Sequence, residues 1–219
     1  MNKILTILLL FVGTFCFSQN KSVDELTDEM CVSFNINKNL SDSLRLLILN
    51  EKFILPYLNQ FDESEKESLS NQLYFRFQKN CKAFVDYLYQ IDPPKKDDWI
   101  KLDSPPEIKI TDKELTFLKR TKKFYYYEWE GEKTKVTTTD KYWIEQFSDK
   151  TYSKLKLIWL TSNSFQLEFI ESNNNGRKNF SKPGDKYLYE VVSKEKDYFW
   201  VLAKIPEQPQ LLMFKLFYK

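Results

Sequence analysis

Glu128 and Glu130 stand two residues apart in the stretch YYYEWEG, the spacing that turns two side chains to the same face of a strand. A carboxylate pair of that kind can serve glycoside hydrolysis as acid and base, provided its surroundings raise one of the two pKa values. The pair also borders Gly131, at a hairpin turn where charged residues commonly face water, and that simpler reading leaves the chain with no assigned catalytic residue. Glu168 and Glu171 differ by an odd number, which predicts opposite faces and no dyad. The 219 residues include no histidine, which excludes Ser-His-Asp and Cys-His catalysis, His-ligated zinc and an imidazole pH switch. Four scattered glycines cannot compose a P-loop or a dinucleotide fingerprint. Asn173-Asn174-Asn175-Gly176 lacks the carboxylates of a calcium loop and reads as a turn, so neither a metal site nor a cofactor is expected.

Binding is the better-supported chemistry. After residue 104 the chain holds 22 aromatic residues, among them Trp143, Trp159, Tyr187 and Trp200. In a small barrel, inward aromatics either fill the core or line an apolar cavity. Residues 172–185, SNNNGRKNFSKPGD, form a connection of fourteen residues carrying the cations Arg177, Lys178 and Lys182. If a cavity exists, this loop is its natural lid and Arg177 the anchor for an anionic group of the ligand.

Two unlike sets of elements must position these residues. From Ser22 the apolar period is helical: Ser22 and Glu25 make a capping box ahead of Val23, Leu26, Met30 and Phe34. A second helix starts at Ser41 and is interrupted at Pro56, which lacks the amide an interior turn requires. Leu69, Leu73, Phe77, Cys81, Phe84, Leu88 and Ile91 predict one stripe down a third helix of about 28 residues. Residues 92–106, DPPKKDDWIKLDSPP, read as a Pro-rich linker, with Trp99 pinning it to one of its neighbours. Beyond it the period becomes 2, with candidate strands at 124–130, 133–139, 142–147, 152–161, 165–171, 186–193, 197–205 and 210–218. Short connections between successive strands require antiparallel neighbours, hence a meander that curls into a barrel or half-barrel.

The first eighteen residues, MNKILTILLLFVGTFCFS, have the lysine, apolar run and small-residue end of a signal peptide. The run is too short to span a bilayer, and Phe15 before Cys16 disfavours lipidation there. Cys31 and Cys81 remain. In an oxidising compartment they either form a disulfide tying the first helix to the third or pack as buried thiols. Residues 19–104 hold 11 basic and 15 acidic groups, and residues 105–219 hold 21 and 16. Opposite net signs would favour docking of the two parts, and equally describe two separately solvated surfaces. The near balance gives no sign of nucleic-acid binding.

The stretches WIEQFSDKTYSKLKLIW, FQLEFIESNN and SKPGDKYLY, together with RFQKNCKAF in the last helix, resemble segments of uncharacterised exported bacterial proteins with a helical N-terminal part and a lipocalin-like β-meander. The resemblance implies export and a meander, and brings no catalytic residue with it. The expected organisation is α+β: a signal peptide (1–18), a helical domain (19–91), the linker (92–106) and an antiparallel β-meander of about eight strands (107–219). The expected role is non-enzymatic binding of a small apolar or amphipathic ligand in periplasm, outer surface or medium. The alternatives are a structural or interaction module docking an envelope protein and, behind it, a carboxylate-based glycan hydrolase. No stable membrane span is expected after cleavage, and the oligomeric state is open.

Overall fold

A computed structural model of the protein describes residues 21–94, 97–205 and 211–218; the expected signal peptide lies outside them. Helix α1 (Val23–Ile36) starts with the predicted capping box: the Ser22 hydroxyl accepts from the Glu25 amide and the Glu25 carboxylate accepts from the Ser22 amide. It buries Leu26, Met30 and Phe34. Helix α2 (Asp42–Leu49) runs through a π-helical turn (Asn50–Ile54) into α3 (Leu55–Leu58). Pro56 therefore does not interrupt the helix where expected. The hydrogen bonding changes before it, the Leu55 amide reaching back five residues to Asn50 O, so Pro56 falls in a first turn that demands no amide.

The expected long third helix is two helices, α4 (Glu63–Asn80) and α5 (Lys82–Ile91), separated at Cys81 by extended backbone (φ −123°, ψ 100°). Cys81 is bonded to Cys31 of α1, with Cα atoms 5.3 Å apart. Its backbone loses nothing at the break, since its amide donates to Phe77 O and its carbonyl accepts from Phe84 and Val85. The apolar stripe also survives: Phe77 and Phe84 stack at 4.3 Å and both meet the edge of Phe34.

The linker contains a strand, β1 (Trp99–Leu102), and a helix, α6 (Asp112–Arg120), follows it. Trp99 does pin this segment, donating from Nε1 to Tyr127 O at 2.6 Å and stacking on Phe214 at 4.8 Å. Eight further strands succeed one another in the predicted order: β2 (Lys123–Tyr127), β3 (Lys133–Thr138), β4 (Tyr142–Gln146), β5 (Tyr152–Trp159), β6 (Ser164–Ser172), β7 (Lys186–Lys194), β8 (Tyr198–Lys204) and β9 (Leu211–Phe217). Each pairs antiparallel with the next, and β9 returns to pair with β2 at Tyr125–Phe217. The result is a closed eight-stranded barrel with β1 added along the remaining edge of β9. Closure leaves these eight strands without a free edge. The thirteen-residue connection between β6 and β7 (173–185) carries helix α7 (Asn175–Phe180).

Glu168 and Glu171 share the outer face, contrary to the odd-spacing argument. Ile170 is an extra residue in a β-bulge, so Glu168 pairs with Lys156 and Glu171 with Lys154, two lysines on one side of β5. The bulge resets the alternation and sets the two carboxylates in register with lysines of β5.

Helices and barrel are joined through Arg76, which is only 6% exposed. Its guanidinium donates to Asp24 of α1 (2.6 Å), to the Phe180 carbonyl at the end of α7 (2.8 Å) and to Asp185 (3.3 Å). Lys79 also pairs with Asp185, and Lys182 with Asp24. Docking is thus written in specific pairs of both senses: Arg76 and Lys79 of the net-acidic half meet Asp185 of the net-basic half, and Lys182 of the net-basic half meets Asp24. Burial works against ionisation of Asp24, and Arg76 and Lys182 outweigh it, holding the carboxyl below its ordinary value. At Asp185 burial is likewise overcome, by the Lys182 amide, Lys79 and Arg76.

Two outcomes follow for stability. Removing the bridge in Cys31→Ser should lower stability by up to about 4 kcal/mol, the chain-entropy value for cysteines 50 positions apart, as read by chemical denaturation. Carboxyls depressed in the fold stabilise it above their ordinary pKa and stop doing so as pH falls through the folded value. The melting temperature of the wild type should therefore drop as pH is lowered through about 4 and below, and Arg76→Met should flatten that dependence.

Candidate functional site

The barrel interior is incompletely filled. A cavity of about 540 Å³ lies between the inward faces of its strands and the helices α4, α5 and α7. Strand alternation supplies its floor: Leu155, Leu167 and Phe169 point inward, opposite Tyr189 and Phe214. The covering layer includes Phe75 of α4, Leu88 and Tyr89 of α5 and Phe180 of α7. Trp129 fastens the end of α5 to the rim, donating from Nε1 to Asp92 O at 2.7 Å and meeting Tyr89 edge-on at 4.8 Å.

Into this apolar space projects a polar cluster centred on Arg177. The Asn174 side chain caps α7 by accepting from the Arg177 amide at 3.1 Å. At Gly176 helix α7 comes up against α4, where a Cβ would stand in van der Waals contact with the Phe75 ring at 3.4 Å. The turn expected at Asn173–Gly176 is therefore the start of a helix, and it is that helix which aims Arg177. The guanidinium NH2 donates to both Glu128 oxygens at 2.8 and 2.9 Å and to the Tyr126 hydroxyl at 3.1 Å. Glu128 also accepts from Thr134 at 2.6 Å. Glu145 accepts at Oε1 from Tyr126 OH (3.0 Å) and Trp143 Nε1 (3.2 Å), while its Oε2 lies 3.8 Å from Arg177 Nε.

The electrostatics follow from burial. Burial raises the Glu145 carboxyl above its ordinary value; Arg177 opposes the rise and Glu128 adds to it. The Tyr126 phenol is pushed far up by burial and by Glu128 and Glu145. Burial disfavours the Arg177 charge, but Glu128, Tyr126 and Glu145 more than restore it, so the guanidinium is firmly protonated. Tyr187 is pushed up to about 12 by burial, with its hydroxyl 2.6 Å from Ser181 Oγ.

Three of the five residues singled out for ligand binding, Arg177, Trp143 and Tyr187, line the cavity. Trp159 packs at the edge of the core against Phe165 (5.1 Å), with Lys119 over its ring. Trp200 lies on the outer face of β8, because Phe199 and Val201 take the inward positions, and it packs with Val192, Leu202 and Met213. Arg177 is at the cavity as expected, but its charge is already met by Glu128, which removes the reason to expect an anionic group there. Glu130 is exposed in the turn after β2 while Glu128 is committed to Arg177, so those two do not present a paired acid and base. Cys31 and Cys81 form the expected disulfide, away from the cavity lining. Glu145 carries no signal in the sequence, and Tyr126 and Tyr189 stand there only among the 22 aromatic residues after residue 104. In YWIEQ the alternation is legible, but Tyr142 and Ile144 look as apt for the inside as Trp143 and Glu145.

No family model, curated protein or solved structure matches this chain.

Arg177→Met should leave Glu128 without its cation and cost about 1–2 kcal/mol, less than a fully buried pair because the Arg177 side chain is 36% exposed. Adding Glu128→Gln should restore most of that loss, and a double-mutant cycle in chemical denaturation reads the coupling.

Proposed function

We propose that the protein is an exported, non-enzymatic binding protein that holds a small amphipathic molecule inside a lipocalin-like barrel. The observation that carries this reading is the cavity of about 540 Å³ within a closed barrel. Sites for small molecules are concave, span about 300–1,000 Å³, and combine an apolar lining with a few convergent polar groups. Here aromatic and aliphatic walls surround the cluster of Arg177, Glu128, Glu145 and Tyr126. Export is supported by the leader-like first eighteen residues and by the Cys31–Cys81 disulfide, a bond characteristic of oxidising compartments. Among the described residues no helix is long and apolar enough to cross a membrane.

A second reading, docking of another protein, is favoured by the apolar residues exposed on α1 and α2, with Ile36 at 74% and Leu47 at 48%. Native mass spectrometry of protein purified from its own host separates the two by the mass retained. The direct test is titration with the neutral fluorophore N-phenyl-1-naphthylamine. The wild type should enhance its emission saturably, and Ala203→Trp, which fills the cavity from β8, should weaken binding at least about tenfold with unchanged circular dichroism. Absence of saturable binding by the folded wild type would overturn the proposal.

A further inference from the structure

Glu128 and Glu145 belong to the lining at the polar end of the cavity, and Arg177 is the cation that lines it among the described residues. Arg177 is spent on Glu128, whose two oxygens it holds at 2.8 and 2.9 Å. Glu145 is only 9% exposed, yet its Oε2 has no hydrogen-bond donor among the described residues and no cation nearer than Arg177 Nε at 3.8 Å, beyond hydrogen-bond reach. Tyr189 also lines the cavity, and its hydroxyl makes no hydrogen bond among the described residues. Around the carboxylate stand the rings of Trp143 and Tyr126, which donate to its other oxygen. Tyr189 joins this aromatic wall through Phe165, stacked between it and Trp143 at 5.2 and 5.9 Å.

We infer that the ligand bears a positively charged group, a protonated amine or quaternary ammonium, which Glu145 receives at the polar end of the cavity. This rests on the binding reading above and narrows it. A buried carboxylate with one oxygen unpaired is costly until a cation or donor meets it. An anionic head would instead meet Glu145 and Glu128 with only one guanidinium, already shared, to offset them. The upward displacement of the Glu145 carboxyl by burial agrees with a group whose charge lacks a full partner in the unliganded protein.

Isothermal titration of the full chain with decyltrimethylammonium, 1-decanol and decanoate tests this, since the three share one apolar tail and differ in head charge. The expected order is cation, then neutral, then anion, with the cation at least about tenfold tighter than the anion. Glu145→Gln keeps an acceptor for Tyr126 and Trp143 while removing the charge. It should weaken the cation about tenfold and leave decanol within about twofold. Equal or tighter binding of decanoate, or a cation affinity indifferent to Glu145→Gln, overturns the inference and leaves the binding reading standing. Failure of all three amphiphiles to bind overturns both.

Discussion

A guanidinium removed from water must find acceptors within the protein, because an unpaired buried charge costs several kcal/mol. The acceptors of Arg76 come from three separated parts of the chain: the first turn of α1, the end of α7 and Asp185 before β7. Satisfying that one side chain brings the helices over the barrel and determines which stretch of α4 faces α7. Phe75, its sequence neighbour, then closes on Gly176. Helix α7 is held beneath α4, and Arg177 is carried to Glu128. The cavity's cover and its polar centre thus share one support.

The barrel's aromatic content does not by itself explain the cavity. Apolar side chains pack well enough to fill an eight-stranded interior, as Phe199, Val201 and Leu216 do, with Phe117 of α6 against Phe199. At the other end, Glu145 and Tyr126 require polar partners, and aliphatic side chains cannot supply them. The cluster around Arg177 satisfies most but not all of that requirement. Space remains beside Glu145 and Tyr189, and the chemistry of that space is acidic and aromatic.

Much of the architecture is legible in the chain because it depends on local periodicity. The eight strands and their antiparallel order follow from alternation and short connections, and the capping box at Ser22 is written in two residues. The discrepancies arise where a single residue changes a period. Cys81 divides one apolar stripe between two helices, Ile170 shifts the alternation of β6, and the π-helical turn before Pro56 absorbs a proline expected to end the helix. None of these changes the hydrophobic pattern from which the elements are read. β1 is short and lies in a stretch of prolines and charges, and the α6 pattern is brief, so neither carries a strong period of its own.

The amino-acid sequence alone determines the exclusions and the periodicities. Without histidine, His-based catalysis and His-ligated zinc are excluded whatever the fold, and four scattered glycines compose no P-loop or dinucleotide fingerprint; helical and alternating patterns follow from spacing along the chain. Only tertiary structure decides closure of the barrel, which requires β9 to meet β2 across the whole meander. The same holds for the site. Whether Arg177 is an open anchor or a neutralised one depends on Glu128 and Tyr126, about 50 positions away. Whether Glu145 faces water or the cavity depends on which side of β4 the barrel encloses, because alternation defines two faces and closure chooses between them.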